Sequence, residues 1–179
     1  MRSSDGPPPA STRPEASGPE IITVSDETHV QRLLPLMRAY CDFYDVNPSD
    51  AALVAMSRAL IADPEHEGMQ LLASDRGVDV GFATLFWSWQ TLIAGRVGVM
   101  NDLYVDASAR RHGVGSALIA ACVRHCRDHG ALHLTWQTSN ENIRAQAVYD
   151  RMGATRETWV DYWLDTTQGA GADAAPAPA

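Results

Sequence analysis

No lysine occurs in this chain of 179 residues: all 14 basic residues are arginine, set against 22 acidic ones, for a net charge of −8. So acidic a surface repels a polyphosphate backbone, which argues against nucleic acid as a partner and favours cationic ones. Cysteine is also scarce. Cys41, Cys122 and Cys126 make an odd, sparse set, which excludes a disulfide framework and points to a reducing compartment. The N-terminus carries Pro, Ser and Asp where a secretory signal needs an apolar core, so a cytoplasmic location is expected. No window approaches the roughly 20 apolar residues of a membrane helix, and a soluble protein with no membrane partner is the expectation. Internal repeats are absent as well.

What is present is a globular composition, 45% apolar, in a chain long enough for one sizeable core and too short for two ordinary domains. Residues 1–18, rich in Pro, Ser and Gly, read as a disordered arm. Residues 167–179, ending Ala-Pro-Ala-Pro-Ala, read as a disordered tail. The folded domain is therefore expected over 19–166.

Ile21, Ile22 and Val24 suggest a first strand. Val30, Leu33, Leu34, Met37, Tyr40, Cys41 and Tyr44 then recur at helical spacing, with Pro35 expected to kink or split the helix. Ser49 or Asp50 can cap a second helix running to about Ala62. Met69–Ser74 and Val78–Trp89 flank the turn Asp75-Arg76-Gly77 and read as a hairpin, with Gly81 marking a bulge or a close backbone approach. A central strand ends at Val105 and a helix runs to about His129. Leu132–Gln137 reads as a strand, and Asn140-Glu141 opens a last helix with Ala145, Val148, Tyr149 and Met152 inward and Gly153 as its stop. Trp159–Leu164 reads as a closing strand. This order implies an α/β (α+β) fold, a mixed sheet with helices on both faces.

The stretch Val97–His129 carries the chemistry. An apolar strand ends in Arg110-Arg111-His112-Gly113-Val114-Gly115-Ser116 and opens directly into a helix. Glycines there let backbone approach a ligand, and the free amides of Gly113, Val114, Gly115 and Ser116 lie at a positive helix end, where a phosphate group fits. A dinucleotide fingerprint is refused, because Leu118 replaces its third glycine and no later strand ends in the required acid.

Arg-x-x-Gly-x-Gly after a strand resembles the pyrophosphate loop of the Gcn5-related N-acetyltransferases, the GNAT family. A second segment, Asn142 to Ala154, reads N-x-x-A-x-x-V-Y-x-x-M-G-A and resembles that family's other motif, with Tyr149 and Gly153 in register. The resemblance covers roughly residues 20–165. It implies a mostly antiparallel sheet in which two parallel strands splay apart to form the acetyl-CoA cleft. It further implies that Leu103, Tyr104 and Val105 pair with the pantetheine arm, that Arg110, Arg111, His112, Gly113, Val114, Gly115 and Ser116 hold the pyrophosphate, and that Asn142 contacts the arm or the thioester region. Tyr149 matches the usual general acid, which would protonate the departing thiolate. Acetyl-CoA is thus the expected co-substrate, with no metal, and a homodimer is the oligomeric state the family suggests.

The general base is less plain. Many members of the family carry a glutamate where this chain has Asn101, and neighbouring Asp102 would point to the opposite face unless a bulge intervenes. Asp102 directly, a water held by Asn101 and Asp102, and capture of the neutral amine all stay open. Tyr40, Tyr44, Asp45, Trp87 and Trp89 are the candidate substrate-binding residues, being aromatic or acidic and suited to an ammonium group. A small amine is expected as acceptor. Rival assignments are a non-catalytic acyl-CoA-binding regulatory module and an acetyltransferase of protein lysines or N-termini. Cys122, Cys126, His125 and His129 lie along one helix and cannot surround one zinc ion, so packing is their expected role.

Overall fold

The computed structural model describes residues 18–166, so the expected tail at 167–179 and all but the last residue of the expected arm lie outside it. Five strands form one sheet in the order β1-β2-β3-β4-β5: β1 Glu20–Thr23, β2 Gly68–Asp75, β3 Val78–Gln90, β4 Gly95–Val105 and β5 Leu134–Thr135. Every pairing is antiparallel except β4 with β5. Four helices complete the described residues: α1 Glu27–Phe43, α2 Asp50–Ala62, α3 Val114–Asp128 and α4 Ile143–Arg151.

Both faces of the sheet are covered, which is why its central strands read as continuous apolar runs instead of alternating ones. Leu71, Leu85 and Met100 pack under Leu118, Ile119 and Cys122 of α3 on one face. Leu72 and Phe82 pack under Val30, Leu33 and Met37 of α1 on the other. Leu33, Leu71, Leu72, Leu85 and Leu118 have no exposed surface, and each such side chain contributes roughly 1.5–3 kcal/mol by burial.

Helix ends follow local chemistry. Asp26 accepts from the His29 amide at 2.9 Å to start α1, and Ser49, not Asp50, caps α2 through the Ala52 amide at 3.2 Å. Of the kink or split expected at Pro35, the split does not occur: α1 is one helix from Glu27 to Phe43. Pro35 lies on the exposed side, where the orphaned carbonyl of the preceding turn meets water, while Leu33, Leu36 and Met37 anchor the buried side. Gly153, at φ +79°, stops α4 as expected.

Two other expectations are corrected. The strand expected over Leu132–Gln137 contracts to Leu134–Thr135, because the chain pulls away from β4 beyond Thr135. Trp159–Leu164 forms no strand: its backbone has no ladder partner, and its large side chains stand in solvent, Tyr162 at 91% exposure. Apolar alternation alone cannot form a strand without a neighbouring edge that supplies hydrogen bonds. Met152, expected inward on α4, is also exposed, whereas Ala145, Val148 and Tyr149 are half-buried.

Two bulges in the sheet place the site. Ala73 faces Gly81 and Ser74 faces Asp79, leaving Val80 unmatched on β3. Gly81 is there for closeness as well, since a Cβ on it would lie 2.6 Å from the Tyr104 carbonyl oxygen. On β4, Leu85 faces Met100 and Thr84 faces Asp102, leaving Asn101 as the extra residue.

Candidate active site

β4 and β5 pair only at Gly98–Leu134 and Val99–Thr135. From Met100 onward β4 has lost that neighbour, and the parting strands open a cleft lined by Tyr40, Tyr44, Asn101, Leu103, Asn142 and Tyr149, with Met100, Trp136, Gln137 and Thr138 filling the remaining wall. Strand separation exposes a backbone edge that a ligand can complete as a further strand would.

The bulge at Asn101 reverses the alternation of β4. Met100 faces the α3 side and so does Leu103, three residues on, while Tyr104 faces α1. Asp102 is therefore turned to the α1 face, beside Thr84 and Tyr40. Regular alternation would have put it under α3. Burial pushes the Asp102 carboxyl above the ordinary carboxylate range, opposed by the hydroxyls of Thr84 and Tyr40 and by the Asn101 amide, whose Nδ2 donates to Oδ1 at 3.1 Å. A desolvated carboxylate is a stronger proton acceptor than one in water.

Tyr40 connects this carboxylate to the cleft. Its ring is held edge-on by Tyr44 at 5.0 Å, Phe82 at 5.7 Å and Tyr104 at 6.2 Å. Burial, the charge of Asp102 and the neighbouring Tyr44 raise its hydroxyl pKa, so the group keeps its proton at rest. Tyr149 reaches the same cleft from α4, its ring edge-on to Trp136 at 5.2 Å. Burial and Tyr44 push its pKa up, against a hydrogen bond with Thr138, leaving it a protonated donor. Asn142 caps α4 by accepting from the Ala145 amide at 3.2 Å, which leaves its Nδ2 free of that duty.

Past β4 the chain makes the turn expected to bind an anion. Gly113 precedes α3 at φ +82°, with no side-chain cap and nothing within 4 Å of a Cβ placed on it. Ala117 N–H to the Gly113 carbonyl, 2.9 Å, is the bond that closes the first turn, so the amides of Val114, Gly115 and Ser116 project from the helix end. Arg110 donates through Nε to the Val105 carbonyl at 3.1 Å, tying the turn to the end of β4. Asp106 N–H points back to Val80 on β3, so the Val105 carbonyl of the same peptide faces the opened side, where Arg110 covers it. His112 lies 3.7 Å from an Asp75 carboxylate oxygen at the turn's outer edge. Arg111 also has a positive φ, +70°.

Not every candidate converges here. Trp87 is buried against α3, donating from its indole to the Pro64 carbonyl at 2.9 Å and stacked on His129 at 3.9 Å. Trp89 is 70% exposed beneath Arg96. Asp45 is exposed just past α1 and does not line the cleft. Missed by sequence reading were Thr84, Gln137 and Thr138, ordinary polar residues whose significance comes from their neighbours. Cys122 and Cys126 are buried, their thiols pushed up by burial to about 12 and about 11, so neither is a ready nucleophile. No metal-binding cluster of His, Cys, Asp and Glu occurs among the described residues.

Comparison with known proteins agrees with this geometry. The family model "Acetyltransferase (GNAT) family" matches residues 33–154. The chain is 30% identical over 138 residues to the uncharacterized N-acetyltransferase YhfO of Bacillus subtilis, covering 74% of this chain and 89% of that one. It is 25% identical over 145 residues to the thialysine N-epsilon-acetyltransferase of Caenorhabditis elegans, covering 81% and 88%. Among solved structures it resembles the aminoglycoside acetyltransferase AAC(6')-Iy in complex with the bisubstrate analog CoA-S-monomethyl-acetylneamine, with TM-score 0.70, 24% identity and coverage of 83% and 99%. With a family match across most of the domain and a strand-opened cleft behind it, the chain belongs to the GNAT family and is an acetyl-CoA-dependent N-acetyltransferase.

Proposed function

We propose that the enzyme acetylates the primary amine of a small cationic molecule by direct attack in a ternary complex, with Tyr149 donating a proton and Asp102 receiving one through Tyr40. The observation that carries this is the convergence of Tyr149, Tyr40, Tyr44, Asn101 and Asn142 on one cleft where β4 and β5 part. Bound acetyl-CoA supplies the activated acyl group as a thioester. The residues fit it: the open left-handed Gly113, the amides from Gly113 to Ser116 and the side chains of Arg110, Arg111 and His112 would hold the diphosphate. The β4 edge at Leu103, Tyr104 and Val105, where the Val105 carbonyl already accepts from Arg110, would take the pantetheine arm, with the Asn142 amide beside it.

The proton inventory closes on this chain's own groups. The amine releases a proton to Tyr40 Oη as Tyr40 passes its own to Asp102, and Tyr149 Oη gives one to the departing sulfur; solvent then resets Asp102 and Tyr149. Asn101 keeps Asp102 Oδ1 in place from above. Electrostatics select the acceptor. The C-terminal end of α1 is a negative dipole end, carries no basic residue in its last turn, and holds Asp42, followed by Asp45, next to Tyr40 and Tyr44. The names of the thialysine and aminoglycoside enzymes support a small amine as the acceptor. The test is thiol release from acetyl-CoA with a panel of diamines, amino-sugars, amino acids and lysine-containing peptides. A small diamine or amino-sugar should give the highest kcat/KM; preference for the peptides would overturn the assignment.

A further inference from the structure

A line of buried polar groups crosses the sheet behind Asp102, where an apolar core is the norm. Gln70 on β2, Thr84 on β3 and Asp102 on β4 are direct cross-strand partners. Gln70 is 1% exposed and Thr84 fully buried. Gln70 Nε2 lies 3.6 Å from Met37 Sδ and 3.4 Å from Thr84 Oγ1, while Ser57 Oγ approaches the same sulfur at 3.9 Å. A thioether sulfur accepts and cannot donate, so the Gln70 atom between Met37 and Thr84 is the NH2 group. Thr84 therefore accepts from Gln70, and its single hydrogen is left for Asp102. The arrangement leaves Gln70 Oε1 buried without a partner, a cost that a purely structural side chain would have been expected to avoid.

We propose that Thr84 is a positioning residue for the reaction: held from behind by Gln70, it directs its one hydrogen onto the Asp102 carboxylate and keeps that group aimed at Tyr40. Its catalytic consequence rests on Asp102 being the proton acceptor. The groups facing Asp102 are few. Tyr40 comes from α1 and is the only titratable one among the described residues, Thr84 comes from β3, and Asn101 belongs to the same strand. Without Thr84 the desolvated carboxylate loses the hydroxyl of its direct cross-strand partner, and its protonation should move to higher pH.

The experiment uses the full chain and four variants, Thr84→Val, Thr84→Ser, Gln70→Met and Asp102→Asn. Asp102 is titrated directly by carboxyl 13C NMR, assigned by its absence in Asp102→Asn, and the pH profile of kcat/KM is measured alongside. Thr84→Val should raise the Asp102 titration, and with it the acidic limb, by about one pH unit. Thr84→Ser should restore both, and Gln70→Met should give a smaller shift in the same direction by freeing the Thr84 hydroxyl to rotate. An Asp102 titration unmoved in folded Thr84→Val overturns the proposal; should that variant not fold, an unmoved titration in Gln70→Met does so. An acidic limb that survives in Asp102→Asn would instead remove Asp102 as the acceptor, while the NMR titration still decides what Thr84 does.

Discussion

The cleft has two ends built by different means. At the proposed phosphate end, residues 106–116 are contiguous, and the groups proposed to bind are backbone amides at the start of α3, available because Gly113 takes a left-handed φ and no side chain caps the helix. At the amine end, Tyr40, Thr84, Asp102 and Tyr149 come from α1, β3, β4 and α4, and their properties arise from burial and from one another. Backbone geometry recognises a ligand common to a whole family. In the proposed mechanism, side chains assembled over long sequence distances set the proton chemistry and the acceptor.

That contrast is sharpest under substitution. Tyr149→Phe should have the largest effect, lowering kcat by about 10²–10⁴-fold with little change in the KM for acetyl-CoA. Steady-state kinetics at neutral pH check it, and an unchanged kcat would take Tyr149 out of the chemistry. Asp102→Asn should lower kcat/KM by about 10²-fold. It should also alter stability in a pH-dependent way. Burial raises the folded-state pKa of Asp102, so its ionised form opposes folding. That penalty is absent in acid below the unfolded pKa, and it grows to its full size as pH rises through the folded pKa. The Tm of Asp102→Asn relative to the parent should therefore increase with pH, measured by calorimetry between pH 4 and pH 8, roughly the span of ordinary to strongly raised carboxyls.

At the phosphate end, Gly113→Ala meets no neighbouring atom, so its cost is the left-handed backbone alone, about 1–2 kcal/mol. The expected outcome is a KM for acetyl-CoA raised about tenfold with kcat nearly unchanged, since ground-state binding is what is lost. A fall in kcat instead would erase the distinction between the two ends. Smallest of all should be Trp89→Ala, less than about twofold in any kinetic constant, because the ring stands in solvent under Arg96. A large rise in amine KM would bring Trp89 back into the acceptor site.

How much could be read beforehand follows the same division. The turn from Arg110 to Ser116 is legible as a shape because it depends on glycines and a helix start, both local properties. Tyr149 and Asn142 are legible only through their register with a known motif. Trp87 and Trp89 mislead, since an aromatic pair on a strand looks the same whether it packs under α3 or lines a pocket. Trp159–Leu164 misleads for a related reason: its alternation satisfies the strand pattern, but a strand also needs an edge to pair with.

By itself the sequence determined the layout of five of the six expected strands and four helices, the two buried faces of the sheet and the glycine turn before α3, because period, caps and glycines act over a few residues. Only the tertiary structure decided which way Asp102 points. The extra residue at Asn101 exists solely in the pairing of β4 with β3, and that one-residue slip carries the carboxylate across the sheet to Tyr40 and Thr84.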